Sequence, residues 1–179
     1  MALITDSYRD LNRQLHESNP EYGTSAHKWA AQIAPLIEQF ESRSVLDYGC
    51  GKQTLHKALA GIVDEKSIAW RNYDPAIEGL DAPPDPADFV VCSDVLEHIE
   101  PDCLDAVLDD LRRCTLKACF LLVATGPAVK TLADGRNAHL IIEPYEWWLP
   151  RLWARFRLYR FIDLDDDLFM AVVTPKSGP

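Results

Sequence analysis

Val45-Leu46-Asp47-Tyr48-Gly49-Cys50-Gly51-Lys52-Gln53-Thr54-Leu55 decides the fold. Ser44 to Tyr48 reads as a short buried strand, and from Thr54 to Ala60 the apolar spacing turns helical. Two glycines occupy the turn between them, where a backbone without Cβ atoms lets a ligand approach closely. The helix that follows presents its N-terminus to the same place. A dinucleotide site asks for GxGxxG, with a third glycine near position 54, where Thr54 stands instead. Asp47, just ahead of the glycines, sits poorly beside a pyrophosphate and suits a ligand that carries a cationic ammonium group.

Outward from this turn the chain alternates between helix and strand. Upstream, a helical stretch begins at Ser25 and puts Trp29, Ile33, Leu36 and Ile37 on one face. Downstream, strands are expected over residues 67–73, 87–92 and 118–123, and helices over 102–114 and 145–157. Two last strands, 160–164 and 168–173, are joined by the acidic turn Asp165-Asp166-Asp167. Ala82-Pro83-Pro84-Asp85-Pro86 is a loop too short to link domains. This rhythm implies a mostly parallel sheet with helices on both faces. A hairpin closes the sheet, so one of its strands runs antiparallel at the edge. In such sheets ligands sit at the carboxyl ends of the strands.

Three segments at those ends resemble class I S-adenosylmethionine-dependent methyltransferases. Asp47-x-Gly49-x-Gly51 is similar to the first motif of that family, although the family commonly has glycine where this chain has Gln53. Tyr73-Asp74-Pro75 places an acid after the second strand, 27 residues beyond Asp47. Ser93-Asp94-Val95-Leu96-Glu97-His98 resembles the DVLEH segment of many small-molecule methyltransferases. The likeness runs from about Ser44 to Thr174. It implies a Rossmann-like three-layer α/β sandwich with a seven-stranded sheet, mostly parallel, ending in an antiparallel edge hairpin. It also implies one methyltransferase domain over 1–179: an N-terminal helical lid segment 1–43, a core 44–174 and a tail 175–179. The implied cofactor is S-adenosylmethionine. Asp47, Tyr48, Gly49, Cys50, Gly51, Asp74, Pro75, Ser93, Asp94 and Val95 are the residues expected to hold it, with Asp74 on the ribose hydroxyls.

Catalytic groups are harder to read, because methyl transfer rests largely on in-line positioning. A base is needed only where the acceptor loses a proton. His139, in the polar loop Asp134-Gly135-Arg136-Asn137-Ala138-His139, is the leading candidate base. His98 is the second, and capping the following helix is its other reading. Arg136 and Asn137 are candidates to orient an oxygen-bearing acceptor, unless Asn137 and His139 only tie the loop down. Trp147 is a candidate pocket wall, and core packing is its alternative. Tyr22 and His16 are candidate lid residues.

Composition narrows the partners. The 179 residues carry a net charge of −10, which repels phosphate backbones, so DNA is not an expected partner. The Asn/Asp-Pro-Pro-Tyr/Phe and Pro-Cys motifs of DNA methyltransferases are also missing. Arg151, Arg155, Arg157 and Arg160 make one basic cluster, read either as a solvated helix face or as a dock for a small anion. Five cysteines without CxxC spacing suggest free thiols in a reducing cytoplasm. No metal-ligand cluster is visible in the spacing, so a metal-independent enzyme acting on a small-molecule or nucleotide-sized acceptor is expected, with no membrane span. The sequence sets no oligomeric state. Two rival readings remain: cofactor cleavage in the same pocket, and a non-catalytic domain that acts through a partner.

Overall fold

The computed structural model describes residues 2–165 and 167–176. Six strands form one sheet: β1 (Ser44–Tyr48), β2 (Ala69–Tyr73), β3 (Ala87–Ser93), β4 (Thr115–Ala124), β5 (Phe156–Asp165) and β6 (Leu168–Pro175). Their order across the sheet is β2-β1-β3-β4-β6-β5. β2, β1, β3 and β4 pair in parallel, and β6 is antiparallel to both neighbours. The antiparallel strand of the hairpin is therefore interior, and β5 at the edge runs with the parallel set.

Among the described residues the sheet holds six strands where seven are expected. The connection from β2 to β3 crosses β1 in only thirteen residues, 74–86, and contains Pro75, Pro83, Pro84 and Pro86. Proline lacks the amide that a ladder needs, so this segment cannot supply an added strand. The other long connection, 125–144, forms only the isolated bridge between Thr131 and Asn137.

Alternate residues of the buried strands feed two cores. On one face Val45, Phe89, Val91, Phe120 and Leu122 pack with helices α2 (Ala30–Gln39) and α3 (Thr54–Leu59) through Ile33, Ile37, Leu55 and Leu59. On the other, Leu46, Val90, Cys92, Leu121 and Val123 pack with α4 (Leu104–Cys114) and α5 (Tyr145–Arg155) through Leu108, Leu111, Trp148 and Leu152. Such two-sided burial is why these strands are apolar throughout instead of alternating.

An N-terminal helix that the pattern reading did not place, α1 (Asp6–Ser18), starts at the Thr5 cap, whose hydroxyl accepts the Tyr8 amide. Glu100 anchors that cap from across the chain, accepting from the Thr5 amide at 2.9 Å and its hydroxyl at 2.8 Å.

Smaller expectations also shift. The last helix ends at Arg155, so Arg157 and Arg160 lie on β5. Arg155 is committed to Asp105 and Asp109, and Arg151 stacks on the Trp147 ring at 3.4 Å. Two of the four arginines are thus already engaged, and the other two lie on a different element. Pro175, expected in the tail, ends β6 opposite Phe156, and 177–179 and Asp166 lie outside the described residues. All five cysteines are free and buried. Among the described residues no helix is long and apolar enough to cross a membrane.

Candidate functional site

A cavity of about 470 Å³ opens at the carboxyl ends of β1, β2, β3 and β4. Parallel strands deliver their following loops to one end of the sheet, so segments distant in sequence meet there. Gly49, Cys50 and Gly51 follow β1; Asp74, Pro75 and Ala76 follow β2; Ser93, Asp94 and Val95 follow β3; Pro127 to Lys130 and His139 follow β4.

The glycines are required by contact as well as by conformation. Gly49 has φ +78°, and a Cβ there would lie 2.4 Å from the Val95 Cγ2. Gly51 has φ +48°, and a Cβ would come within 2.5 Å of the Gly23 carbonyl oxygen. Gln53, the departure from the family's glycine, also adopts the left-handed conformation, at φ +56°. Its side-chain oxygen accepts the Asn72 amide at 3.0 Å, a bond glycine would not make. The chain keeps the glycine-type turn and offsets its strain with a side-chain bond.

Asp74 organises the floor of the cavity. Its two carboxylate oxygens accept the amides of Gly51 at 3.1 Å and Ala76 at 3.0 Å. Asp47 lies behind the lining, buried, with Oδ2 unpartnered. Burial first, and Asp74 second, push its pKa up to about 7. The Ser93 hydroxyl and the His16 Nδ1 are likewise buried without partners. Buried polar atoms are nearly always satisfied, so a cluster of unsatisfied ones around a cavity marks a polar ligand's place. These groups fit the implied cofactor: carboxylates for its ammonium and hydroxyls, and bare backbone where it must approach.

The N-terminal segment covers this floor. Tyr8, Asn12 and His16, four residues apart on one face of α1, all line the cavity, as do Tyr22, Gly23 and Thr24. Lys52 ties the cover down through its ammonium, which donates to the carbonyls of His16 at 3.2 Å and Asn19 at 2.6 Å. The Thr54 hydroxyl donates to the Thr24 carbonyl at 2.8 Å. Tyr22 donates to Asn12 and packs edge-on against His16 and His98. Burial raises the Tyr22 phenol strongly and lowers the His16 imidazole, so at neutral pH both are uncharged.

The two candidate bases meet, with ring centroids 4.8 Å apart. Nδ1 of His98 faces the Ala138 carbonyl at 2.7 Å, and Nδ1 of His139 faces the Gly126 carbonyl at 2.7 Å. A carbonyl only accepts, so each Nδ1 carries a proton, and in the neutral form of each ring Nε2 is the atom left with a lone pair. Desolvation, with His139 adding to it, lowers the His98 pKa to about 3. Glu97, fully buried beside them, accepts the Ala124 amide on Oε1 and leaves Oε2 unpartnered. Burial and Asp94 push its pKa up to about 8. Asp94 itself has φ +55°, a left-handed residue at the mouth of β3.

Several sequence candidates fall elsewhere. Tyr48 turns into the far core and donates to Asp110 at 3.0 Å. Asn137 ties its own loop, accepting the Ala128 and His139 amides and donating to the Ala128 carbonyl. Arg136 is exposed and paired with Asp134. Trp147 packs on the core against Trp148. None of the four lines the cavity. Tyr8, Asn12, Lys130 and Glu97 were not singled out; the four-residue spacing of Tyr8, Asn12 and His16 was the available signal for α1.

A methyltransferase-domain family model matches residues 21–165. The chain belongs to that family. Its match covers the glycine turn, Asp74, the 93–98 segment and His139 together. No curated protein sequence matches the chain. Among solved structures it is similar to the Burkholderia thailandensis 1,6-didemethyltoxoflavin-N1-methyltransferase bound to 1,6-didemethyltoxoflavin and S-adenosylhomocysteine, at TM-score 0.64 and 13 % identity, over 96 % of this chain and 90 % of that one. It is similar to DhpI in complex with S-adenosylhomocysteine at TM-score 0.61 and 18 % identity, over 93 % and 95 %. The mitomycin 7-O-methyltransferase MmcR gives TM-score 0.61 and 13 % identity, over 91 % of this chain and 60 % of that one. At these identities the likeness is one of fold.

Proposed function

We propose that this methyltransferase binds S-adenosylmethionine on the floor of the cavity and transfers its methyl group to a small-molecule acceptor in the cytoplasm. The observation that carries the reading is the coincidence of the glycine turn, Asp74 and the buried unpartnered Asp47, Ser93 and His16 around one cavity at the strand ends. The bound sulfonium supplies a methyl group already activated for transfer, and the chain's part is to position and to exclude water. Asp74 holds the Gly51 amide and remains able to accept ribose hydroxyls. Asp47 favours a cationic ammonium beside the glycine turn. Residues 1–43 act as a lid: α1 and Tyr22 close the cavity over the cofactor, and Lys52 latches them. The whole chain acts as one domain. The acceptor enters beside His98 and His139, which line the cavity together with Val95, Ile99 and Ala128.

The small cavity and the net charge of −10 favour a small acceptor over nucleic acid. Two of the similar structures are of methyltransferases whose names give a nitrogen and an oxygen as the methylated atom. Incubation with methyl-labelled S-adenosylmethionine and a panel of hydroxyl- and ring-nitrogen-bearing heterocycles tests the reading. Label should move to an acceptor with an equal amount of S-adenosylhomocysteine formed. Cofactor fragments without a methylated acceptor would assign cleavage chemistry to the pocket instead.

A further inference from the structure

We propose that Glu97, His98 and His139 form a binding site for a divalent transition-metal ion in the wall of the cavity, and that the ion's open positions take an oxygen donor of the acceptor. The second clause rests on the methyltransferase reading; the metal site does not. One ligand-type atom from each of the three residues lies within 4.8 Å of the other two. A single point therefore lies within roughly 2.8 Å of all three, about 0.7 Å beyond the ~2.1 Å of a zinc–nitrogen or zinc–oxygen bond. Side-chain adjustment of that size closes the site without moving the backbone.

Three independent features of the cluster point to a cation. The Glu97 carboxylate is fully buried, and Oε2 has no partner while Oε1 is satisfied by the Ala124 amide. A buried carboxylate oxygen left unpaired is costly, and a bound cation is one of the few groups that satisfies it. Both histidines donate Nδ1–H to a backbone carbonyl, Ala138 for one and Gly126 for the other, each at 2.7 Å. That arrangement fixes the tautomer and the ring, and it is the usual outer support of a metal-bound imidazole. Finally, both histidines line the cavity, so ligation would leave positions open toward it.

The donor set selects the ion. Two imidazoles and one carboxylate suit zinc, cobalt, iron(II) or manganese better than magnesium or calcium, which prefer all-oxygen shells. Three protein ligands with an open position are the pattern of a working metal site, whereas structural zinc sites are closed by four. Asp94 lies close enough to act electrostatically on both Glu97 and His139, adding negative charge around the point. Lys130, the nearby cation, stands over the Tyr22 ring, its ammonium 5.2 Å from the centroid. The sequence hides the set, because Glu97 and His98 are adjacent and His139 follows 41 residues later, without any familiar ligand spacing.

Cobalt(II) is the probe, since its visible absorption reports ligand number and geometry. The full chain, freed of metal with a chelator and without S-adenosylmethionine, should bind one cobalt per molecule and develop ligand-field bands that zinc displaces. His139→Ala should weaken this at least about 100-fold, since losing even an outer partner of a ligand costs about 10–100-fold. His56→Ala, on the far side of the glycine turn, should leave it unchanged. Glu97→Gln should weaken binding in the same way, with the His139 variant as the safeguard should a buried substitution disturb folding. Less than one cobalt per chain at millimolar metal, or binding that survives His139→Ala, would overturn the site. S-adenosylmethionine binding is measured separately on the metal-free protein, so loss of the metal site and loss of the methyltransferase reading give different results.

Discussion

Asp47 is a carboxyl group whose protonation the fold controls. Its pKa rises from 3.8 to about 7, chiefly by burial and then by Asp74. A carboxyl raised on folding stabilises the protein fully below its unfolded value, and that contribution disappears as pH rises through the folded value. Asp47→Asn should therefore stabilise the ligand-free protein at pH 8, by up to ~4 kcal/mol at one pKa unit per 1.36 kcal/mol, and should change little at pH 4. Thermal unfolding at the two pH values reads this, and an equal effect at both would remove the carboxyl's titration from the account. Asp74 belongs to the same scale. Asp74→Ala should cost roughly 1.5–3 kcal/mol of S-adenosylmethionine affinity, the range of hydrogen bonds to a charged group. Equilibrium dialysis that gave an unchanged affinity would take Asp74 out of the site. Gly49, Gly51, Asp74 and Ser93 to Val95 were legible because each is tied to a strand end by sequence position. Asn137 and Trp147 follow the structural alternatives of their sequence reading, loop tie and core packing, and Arg136 falls outside the cavity because Asp134, two residues away, satisfies it locally.

Elements were legible wherever burial repeats. β1 matches its sequence reading, and α4 extends the period of Leu104, Val107, Leu108 and Leu111. Short polar helices carry less of that signal, and α1 buries only Tyr8 and Asn12. Its hold on the molecule is polar: Glu100 at the Thr5 cap, the Tyr8 hydroxyl on the His98 carbonyl at 2.5 Å, and the Lys52 latch. Lys52→Met keeps most of that side chain's apolar stem and removes both donor bonds. Hydrogen exchange over residues 6–25 should accelerate, and S-adenosylmethionine should bind roughly ten-fold more weakly, matching about 1.5 kcal/mol for a charged hydrogen bond. The sheet amides of β3 and β4 should stay protected. Unchanged exchange in α1 would mean that packing alone holds the cover.

At the scale of the whole molecule, strand alternation and two-sided burial set the α/β class, and the parallel strands collect the site at one end. The strand count was overstated, because a family likeness carried an expectation of seven that the thirteen proline-rich residues between β2 and β3 cannot house. The metal-ligating cluster was invisible for the opposite reason: it exists only once β3 and the loop after β4 are neighbours in space. Cover, floor and acceptor wall then form one cavity, and the central claim is that its floor holds S-adenosylmethionine. Calorimetric titration of the full chain with S-adenosylmethionine and, separately, S-adenosylhomocysteine tests it most directly. Saturable binding of both, at one site per chain and in competition with each other, is the predicted result. Absence of heat and of competition for either ligand at millimolar concentration would contradict it.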